Sequence, residues 1–277
     1  MAMNSIITNI GAQVALQSLN KTQDELAVTQ KRISTGLRVA DSRDDGAAFA
    51  VAERVRGEMA ATTSANEQLG GAKGLLDVTR SSLENVSSSL NKLKEIVVKL
   101  ADGAITTEQR SQYQTQAKEL TNNVKAFITD ANYNNRNMIG TGGTDVKVVI
   151  NSTGGNYSVA AFDAVTNIYN QVSGANAYTQ GDAAASLTMT GKIGTAVTNT
   201  LTTLNTFGSY SNYVDTQISF NKKKMDAQES GMGALIDADL AKESAKLQSL
   251  QIRQQLGGQA LGIANQSPQV LVSLFRG

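Results

Sequence analysis

Residues 12–37 read AQVALQSLNKTQDELAVTQKRISTGL, and the spacing within this stretch decides the fold. Leu16, Leu19, Gln23, Leu26, Gln30, Ile33 and Leu37 fall at alternating steps of three and four, a heptad seam that is apolar at most positions and amidic at two. Such a stripe cannot stay dry on a lone helix in water. Near the other end of the chain, Ile236, Leu240, Glu243, Leu247, Leu250, Gln254, Gly257, Leu261 and Ala264 repeat the alternation. Two matching seams separated by the bulk of the chain imply that it folds back on itself and that its ends pair.

Working inward, Thr35-Gly36 predicts a helix C-cap. The segment from Leu37 to Gly46 is dense in charge and poor in period, so it reads as a connector whose Arg and Asp residues pair with each other or with a neighbouring chain. From Val51 the alternation resumes and runs through Val55, Glu58, Thr62, Ala65, Leu69, Ala72, Leu76, Thr79, Leu83, Val86, Leu90, Leu93 and Val97 to Leu100. A helix of that length spans about 75 Å at 1.5 Å per residue. Gly70, Gly71 and Gly74 interrupt it and predict a bend or a close helix approach. Asp102-Gly103 ends this helix, and Thr106 with Gln109 has capping-box spacing for the next. That helix carries Tyr113, Ala117, Leu120, Val124 and Phe127 inward and stops near the asparagines at 132–135.

The character then changes. Val146–Ile150 and Tyr157–Ala161 flank a glycine-rich loop, which is a β-hairpin signal. Asp182 is placed to cap the last long helix before the C-terminal coil, with Ile193, Val197, Leu201, Leu204, Val214, Ile218 and Met225 facing inward. Met1–Gly11 has no strong period and reads as flexible, and Pro268 is expected to break the C-terminal seam. The fold class is therefore mainly α: an elongated helical bundle with a terminal coiled coil and a small β-hairpin insertion. Three parts follow: residues 1–46 with 236–277, residues 47–140 with 182–235, and the insertion 141–181.

Composition narrows the function. The chain of 277 residues has one proline, 5% aromatics, no histidine, no cysteine and a net charge of +1. Few prolines permit long helices, and few aromatics argue against a thick core. Without His or Cys the commonest metal ligands, thiol nucleophiles and near-neutral bases are missing, so no enzyme, metal or cofactor is expected. The near-neutral charge points to neither nucleic acid nor an anionic membrane. No apolar run approaches the ~20 residues of a membrane span. The first Lys or Arg is Lys21, so the basic start of a secretory signal is lacking. Asp44-Asp45 and Asp237 with Asp239 have no third ligand nearby and read as solvated or inter-chain pairs. Gly231-Met232-Gly233 follows a polar helical stretch rather than a buried strand, which rules out a dinucleotide loop.

Asn4-Ser5-Ile6, Ala15-Leu16, Arg32–Arg38 and Asp44–Ala48, together with Asp237–Leu240, Glu243 and Ala264–Leu271, strongly resemble the paired terminal motifs of bacterial flagellins. The resemblance implies an inner coil built from both termini, a helical middle domain and a variable outward insertion. It also implies export through the flagellar type III channel without a cleaved signal peptide and an extracellular place in the filament. The function it implies is a structural subunit that polymerises into the flagellar propeller for swimming motility. A hook–filament junction protein and a glycan-binding or adhesin variant are the alternative readings. Partners would be further copies of the chain, an export chaperone and export gate, and the hook-junction and filament-cap proteins. Many relatives carry Phe-Asn-Gly where this chain has Tyr133-Asn134-Asn135. Leu90–Ile96 likewise departs from the Leu-Gln-Arg-x-Arg-Glu-Leu segment associated with innate-receptor recognition.

The expected polymerisation interface is Leu16, Leu19, Leu26, Ile33, Leu240, Leu247, Leu250, Leu261, Leu271 and Leu274. The last two belong to an apolar tail with Val270, Val272 and Phe275 that the middle domain has no seam to cover. The terminal stretches Met1–Gly46 and Ile236–Gly277 are expected to order on assembly, because glutamine and glycine interrupt their stripes. Ser152, Thr153, Ser158, Thr166 and Ser173 are candidate O-glycosylation positions on the insertion.

Overall fold

In a computed structural model the chain is mainly helical, and residues 9–274 are described, with side chains as far as Gln266. The helices are α1 (Ile10–Thr35), α2 (Gly46–Leu100), α3 (Thr107–Thr129), α4 (Asn170–Val172), α5 (Gln180–Ser186), α6 (Lys192–Ile236) and α7 (Leu240–Leu274). Strands β1 (Val146–Val149) and β2 (Asn156–Val159) form an antiparallel hairpin that pairs Val146 with Val159 and Val149 with Asn156. The chain divides into two compact units, one of Met1–Gly57 with Ala227–Gly277 and one of Glu58–Asp226.

Within the unit of Glu58–Asp226, the seam of α2 is the spine. Its seam residues from Thr62 to Leu100 are all buried, and Leu83, Leu90, Leu93, Val97 and Leu100 are completely so. Each large side chain removed from water in this way contributes roughly 1.5–3 kcal/mol. The threonines within the stripe do not leave unpaired hydroxyls. Thr62 Oγ1 donates to the Glu58 carbonyl and Thr79 Oγ1 to the Leu75 carbonyl, each at 2.8 Å, so each bonds one turn back within its own helix. Ile193, Ala196, Phe207 and Val214 of α6 and Ala117, Val124 and Ile128 of α3 complete this core.

Local chemistry sets the boundaries. Thr106 and Gln109 close the expected capping box, with Gln109 N donating to Thr106 Oγ1 at 3.2 Å and Thr106 N to Gln109 Oε1 at 2.9 Å. Asn134 and Asn135 adopt φ of 48° and 63° in a tight turn between Tyr133 and Arg136, whose backbones pair. Gly74 is the point of close approach on α2, but its neighbour is the Tyr133 ring, 2.8 Å from where a Cβ would stand, rather than another helix. Gly70 and Gly71 face open space. From α6, Gln217 Nε2 and Asn221 Nδ2 donate to the Ile150 carbonyl at 3.2 and 3.0 Å, and Tyr213 stacks on Tyr157 with centroids 4.0 Å apart. These contacts fix the hairpin to the helix.

Several expectations are corrected. Asp182 does not cap the last long helix. It is the third residue of α5 and closes a capping box with Thr179, while α6 starts at Lys192. Leu201 and Val51 keep the seam spacing yet are exposed, because no element among the described residues covers them. Asn9 begins an ordered helix inside the stretch expected to be flexible, whereas Met1–Thr8 lies outside the described residues. Helix α7 runs through position 268 to Leu274 instead of breaking at the proline.

Candidate assembly interface of the paired termini

The unit of Met1–Gly57 and Ala227–Gly277 brings the two terminal helices together, with α1 packed along α7. The α7 seam matches the sequence pattern: Ile236, Glu243 and Leu250 are buried, and Leu247, Gln254, Gly257, Leu261 and Ala264 are half-buried. Leu240 is the exception and is half exposed. On α1 the inward stripe is shifted by about one residue from the expected one. Ala12, Ala15, Leu19, Thr22, Leu26, Thr29 and Ile33 turn away from solvent, whereas Leu16, Gln23 and Gln30 are exposed. Small alanines and threonines let the two backbones approach. The bulkier leucine and glutamine pattern misplaces the seam because it favours size over fit.

The connector closes the far end of this pair. Gly36 ends α1 in the left-handed region at φ 72°, and its carbonyl accepts from Ala238 N at 2.9 Å. Arg38 N and Val39 N both donate to the Ile236 carbonyl, at 2.7 and 3.2 Å, and Leu37 bridges Asp237. Val39, Ala52 and Ile236 form a small core with Leu37, Ala48, Phe49 and Met232 packed around it. Of the expected pairings within the connector only Arg43 with Asp41 forms among the described residues, and the main partner of its aspartates is Lys31 of α1. Lys31 Nζ lies 2.9 Å from Asp41 Oδ2 and 3.0 Å from Asp44 Oδ2, and Arg43 reaches Asp41 at 3.4 Å. The Lys31 hydrogen bond lowers both aspartates, Asp41 to well below the usual carboxylate range, aided by the Arg43 N–H at Asp41 and the Ala40 N–H at Asp44. The same contacts raise Lys31.

One ion pair lies inside the seam. Arg32 Nη1 meets Glu243 Oε1 at 3.2 Å, with Glu243 only 9% exposed. Arg32 Nε, Glu243 Oε2 and the Thr29 hydroxyl are buried and find no hydrogen-bond partner among the described residues. At the start of α1, Asn9 accepts from Ala12 N at 2.9 Å as its N-cap and donates Nδ2 to the Ala264 carbonyl at 2.7 Å. Neither contact was read from the sequence, although an asparagine just before an apolar-periodic run is an N-cap signal.

Away from the seam, both helices carry apolar side chains that nothing among the described residues covers. Ile10, Val14, Leu16 and Val28 of α1 are exposed, as are Ile252, Leu256 and Ile263 of α7, the last three at spacings that share one face. Of the expected interface residues, Leu19, Leu26, Ile33, Leu247, Leu250 and Leu261 lie in the intramolecular seam, and Leu16 and Leu240 point outward. The side chains of Leu271 and Leu274 lie outside the described residues. On the insertion, Thr153, Ser158, Thr166 and Ser173 are exposed and Ser152 is half-buried. The hydroxyls of Thr153 and Thr166 donate to Asn151 Oδ1 and Asp163 Oδ2.

No group of three His, Cys, Asp or Glu side chains converges among the described residues, and no helix there is long and apolar enough to cross a membrane. Paired terminal helices that leave apolar side chains uncovered among the described residues are the arrangement of a helical structural protein. The comparisons give that class a family. Residues 6–142 match the bacterial flagellin N-terminal helical region, and residues 190–275 match the C-terminal helical region. The chain is 37% identical to the flagellin FljK of Caulobacter vibrioides over 276 residues, covering all of both chains. It is 34% identical to a flagellin of Brucella melitensis, across 99% of this chain and 100% of that one. A crystal structure of Bacillus cereus flagellin shares the fold at a TM-score of 0.50 and 17% identity, covering 56% of this chain and 88% of that one. The chain belongs to the bacterial flagellin family and is a structural subunit of the flagellar filament.

Proposed function

We propose that the subunit polymerises through the outward faces of α1 and α7, with their shared seam holding both helices in the assembling geometry. The observation that carries this reading is the uncovered stripe of Ile252, Leu256 and Ile263, which are 58%, 58% and 70% exposed. An apolar stripe left in water favours a protein partner. In a helical polymer each such contact is heterologous and repeats without closing. The buried but unpaired Arg32 Nε and Glu243 Oε2 also favour a neighbour that completes their hydrogen bonds. The interface then comprises Leu16 and Leu240 with that stripe and the tail leucines Leu271 and Leu274. Leu19, Leu26, Ile33, Leu247, Leu250 and Leu261 act on it indirectly by pairing the helices.

In this reading residues 1–46 with 236–277 form the inner coil and connectors, residues 47–140 with 182–235 the middle domain, and 141–181 the outward insertion. Ser152, Thr153, Ser158, Thr166 and Ser173 would then face the medium as acceptors for O-linked sugars. Membership of the family supports the further expectation of export without a cleaved signal peptide, of an export chaperone and gate, and of contacts to hook-junction and cap proteins. Filament growth from purified subunits tests the interface. Leu256→Asp, or deletion of residues 267–277, should abolish filaments seen by negative-stain microscopy while thermal unfolding of the soluble subunit barely moves. Normal filaments from both variants would refute the reading.

A further inference from the structure

The α1–α7 seam by itself does not fix how far one helix slides along the other. A slip of one heptad, about 10.5 Å at 1.5 Å per residue, restores the same alternation on both sides. The alanines and threonines of the α1 stripe would meet either alignment with little change in fit.

The connector pins one end of the pair through the Gly36–Ala238 and Arg38–Ile236 backbone bonds, and three further contacts along the helices distinguish the observed register. Arg32 pairs with Glu243 near the connector. Leu19 lies over Gly257, where an added Cβ would stand 3.2 Å from Leu19 Cδ1. At the far end Asn9 Nδ2 donates to the Ala264 carbonyl. That carbonyl is unusual, because α7 continues through Pro268, and proline has no N–H to return to the residue four before it. Asn9 thus supplies from α1 the donor that α7 lacks. After a slip of one heptad Arg32 would face Leu250 or Ile236, Leu19 would face Leu250 or Ala264, and the Ala264 carbonyl would lose its partner.

We propose that Asn9 and Pro268 form a register lock at the end of the pair far from the connector, in which the proline frees one helix carbonyl and the asparagine amide claims it, holding that end in the alignment from which the subunit polymerises. Asn9 acts here as a positioning residue rather than as part of the outward face. The inference rests on the assembly reading above, and its test separates the two.

Asn9→Asp is the decisive change. Aspartate caps a helix as well as asparagine and suits the positive end of the helix dipole, so capping alone predicts no loss. The lock predicts the reverse sign, because the donor is replaced by a carboxylate oxygen facing a carbonyl oxygen. Seeded growth of the full-length protein should show a critical concentration raised about tenfold for Asn9→Asp, the effect of losing a hydrogen bond of ordinary strength and adding repulsion. Pro268→Ala returns a backbone N–H to Ala264, so adding Asn9→Asp in that background should raise the critical concentration less than about twofold. Equal penalties in the two backgrounds, or none in either, would overturn the lock. The chain has no cysteine, so an engineered pair reports register without background. Intramolecular oxidation of Leu19→Cys with Gly257→Cys should outpace that of Leu19→Cys with Leu250→Cys, and Asn9→Asp should narrow the difference severalfold. An unchanged ratio would also overturn the lock. A wild-type chain that forms no filaments would defeat the assembly reading alone, since the disulfide ratio still reports the register.

Discussion

Arg110 holds the end of a helix to which it does not belong. From the first turn of α3 its Nη1 donates to the Leu100 carbonyl at 2.9 Å, and its Nη2 donates to the Asp102 carbonyl at 3.3 Å. The last carbonyls of a helix lack intrahelical partners; here Ala101 N and Asp102 N serve Val97 and Lys99, and a charged donor ten residues further on serves Leu100. Arg110→Met keeps the apolar stem and removes the donors. We expect a loss of about 1–2 kcal/mol, seen as a fall of a few degrees in the unfolding midpoint. Amide exchange should speed up selectively over Ile96–Leu100. Unchanged protection there would mean that packing alone closes α2.

Leu90 tests the spine of the same unit. It is completely buried in the α2 seam, and Leu90→Ala deletes methyl groups that neighbouring helices cannot refill. A cost of roughly 2–5 kcal/mol is expected, measurable by urea unfolding of the soluble subunit. Leu256→Asp should cost far less in the same assay because its side chain is already in water. Similar losses for the two would show that α7 is covered within the subunit after all.

Acid should loosen the connector. Asp41 and Asp44 have depressed folded-state values, chiefly through the Lys31 hydrogen bond, so their contribution is complete above the ordinary aspartate pKa of about 4. It is lost as pH falls through the lowered values. Lys31 is raised, so its contribution is present below the ordinary lysine pKa and fades only at strongly alkaline pH. The connector should therefore be insensitive between about pH 5 and 9 and weaken in acid. Its charges are partly exposed, so added salt should reduce the effect. Asp44→Asn should shrink the acid-dependent part of filament dissociation. A pH profile identical to wild type would remove the Lys31 cluster from the account.

The sequence made the long helices legible because their seams are regular and strongly apolar. Leu83, Leu90, Leu93 and Leu100 hold one face whatever surrounds them, so period alone locates them. The capping box at Thr106 and the hairpin around residue 150 were legible for a similar reason, since both are local patterns. The α1 stripe was misplaced by a residue because Ala12, Ala15, Thr22 and Thr29 are too small and polar to signal burial. Leu201 kept the spacing and yet faces outward, because period cannot say where a covering neighbour ends. Asn9 and Ala264, or Arg32 and Glu243, meet only after the chain folds back, and no local pattern announces a contact over that separation. The Pro268 expectation failed for the same reason: the donor that compensates it comes from the other end of the chain.

The last prediction concerns how the two units differ in stability before assembly. On α1 only Thr29 is fully buried, and its apolar residues Ile10, Val14, Leu16 and Val28 are exposed. A helix that buries so little gains little to offset the backbone entropy of ordering it, which is roughly 1–2 kcal/mol per residue. The unit of Glu58–Asp226, by contrast, buries most of the α2 seam with α3 and α6. Local opening follows buried contact density, so the terminal helices should open first. In dilute subunit, limited trypsin should cut early at Lys21, Lys31, Lys242, Lys246 and Arg253 and leave a resistant fragment containing Glu58–Asp226. The same protease applied to filaments should leave those sites intact, since neighbours then cover the outward stripes. Terminal sites equally resistant in dilute subunit and in filament would show that the α1–α7 pair is stable on its own, and the coupling of its order to assembly would have to be abandoned.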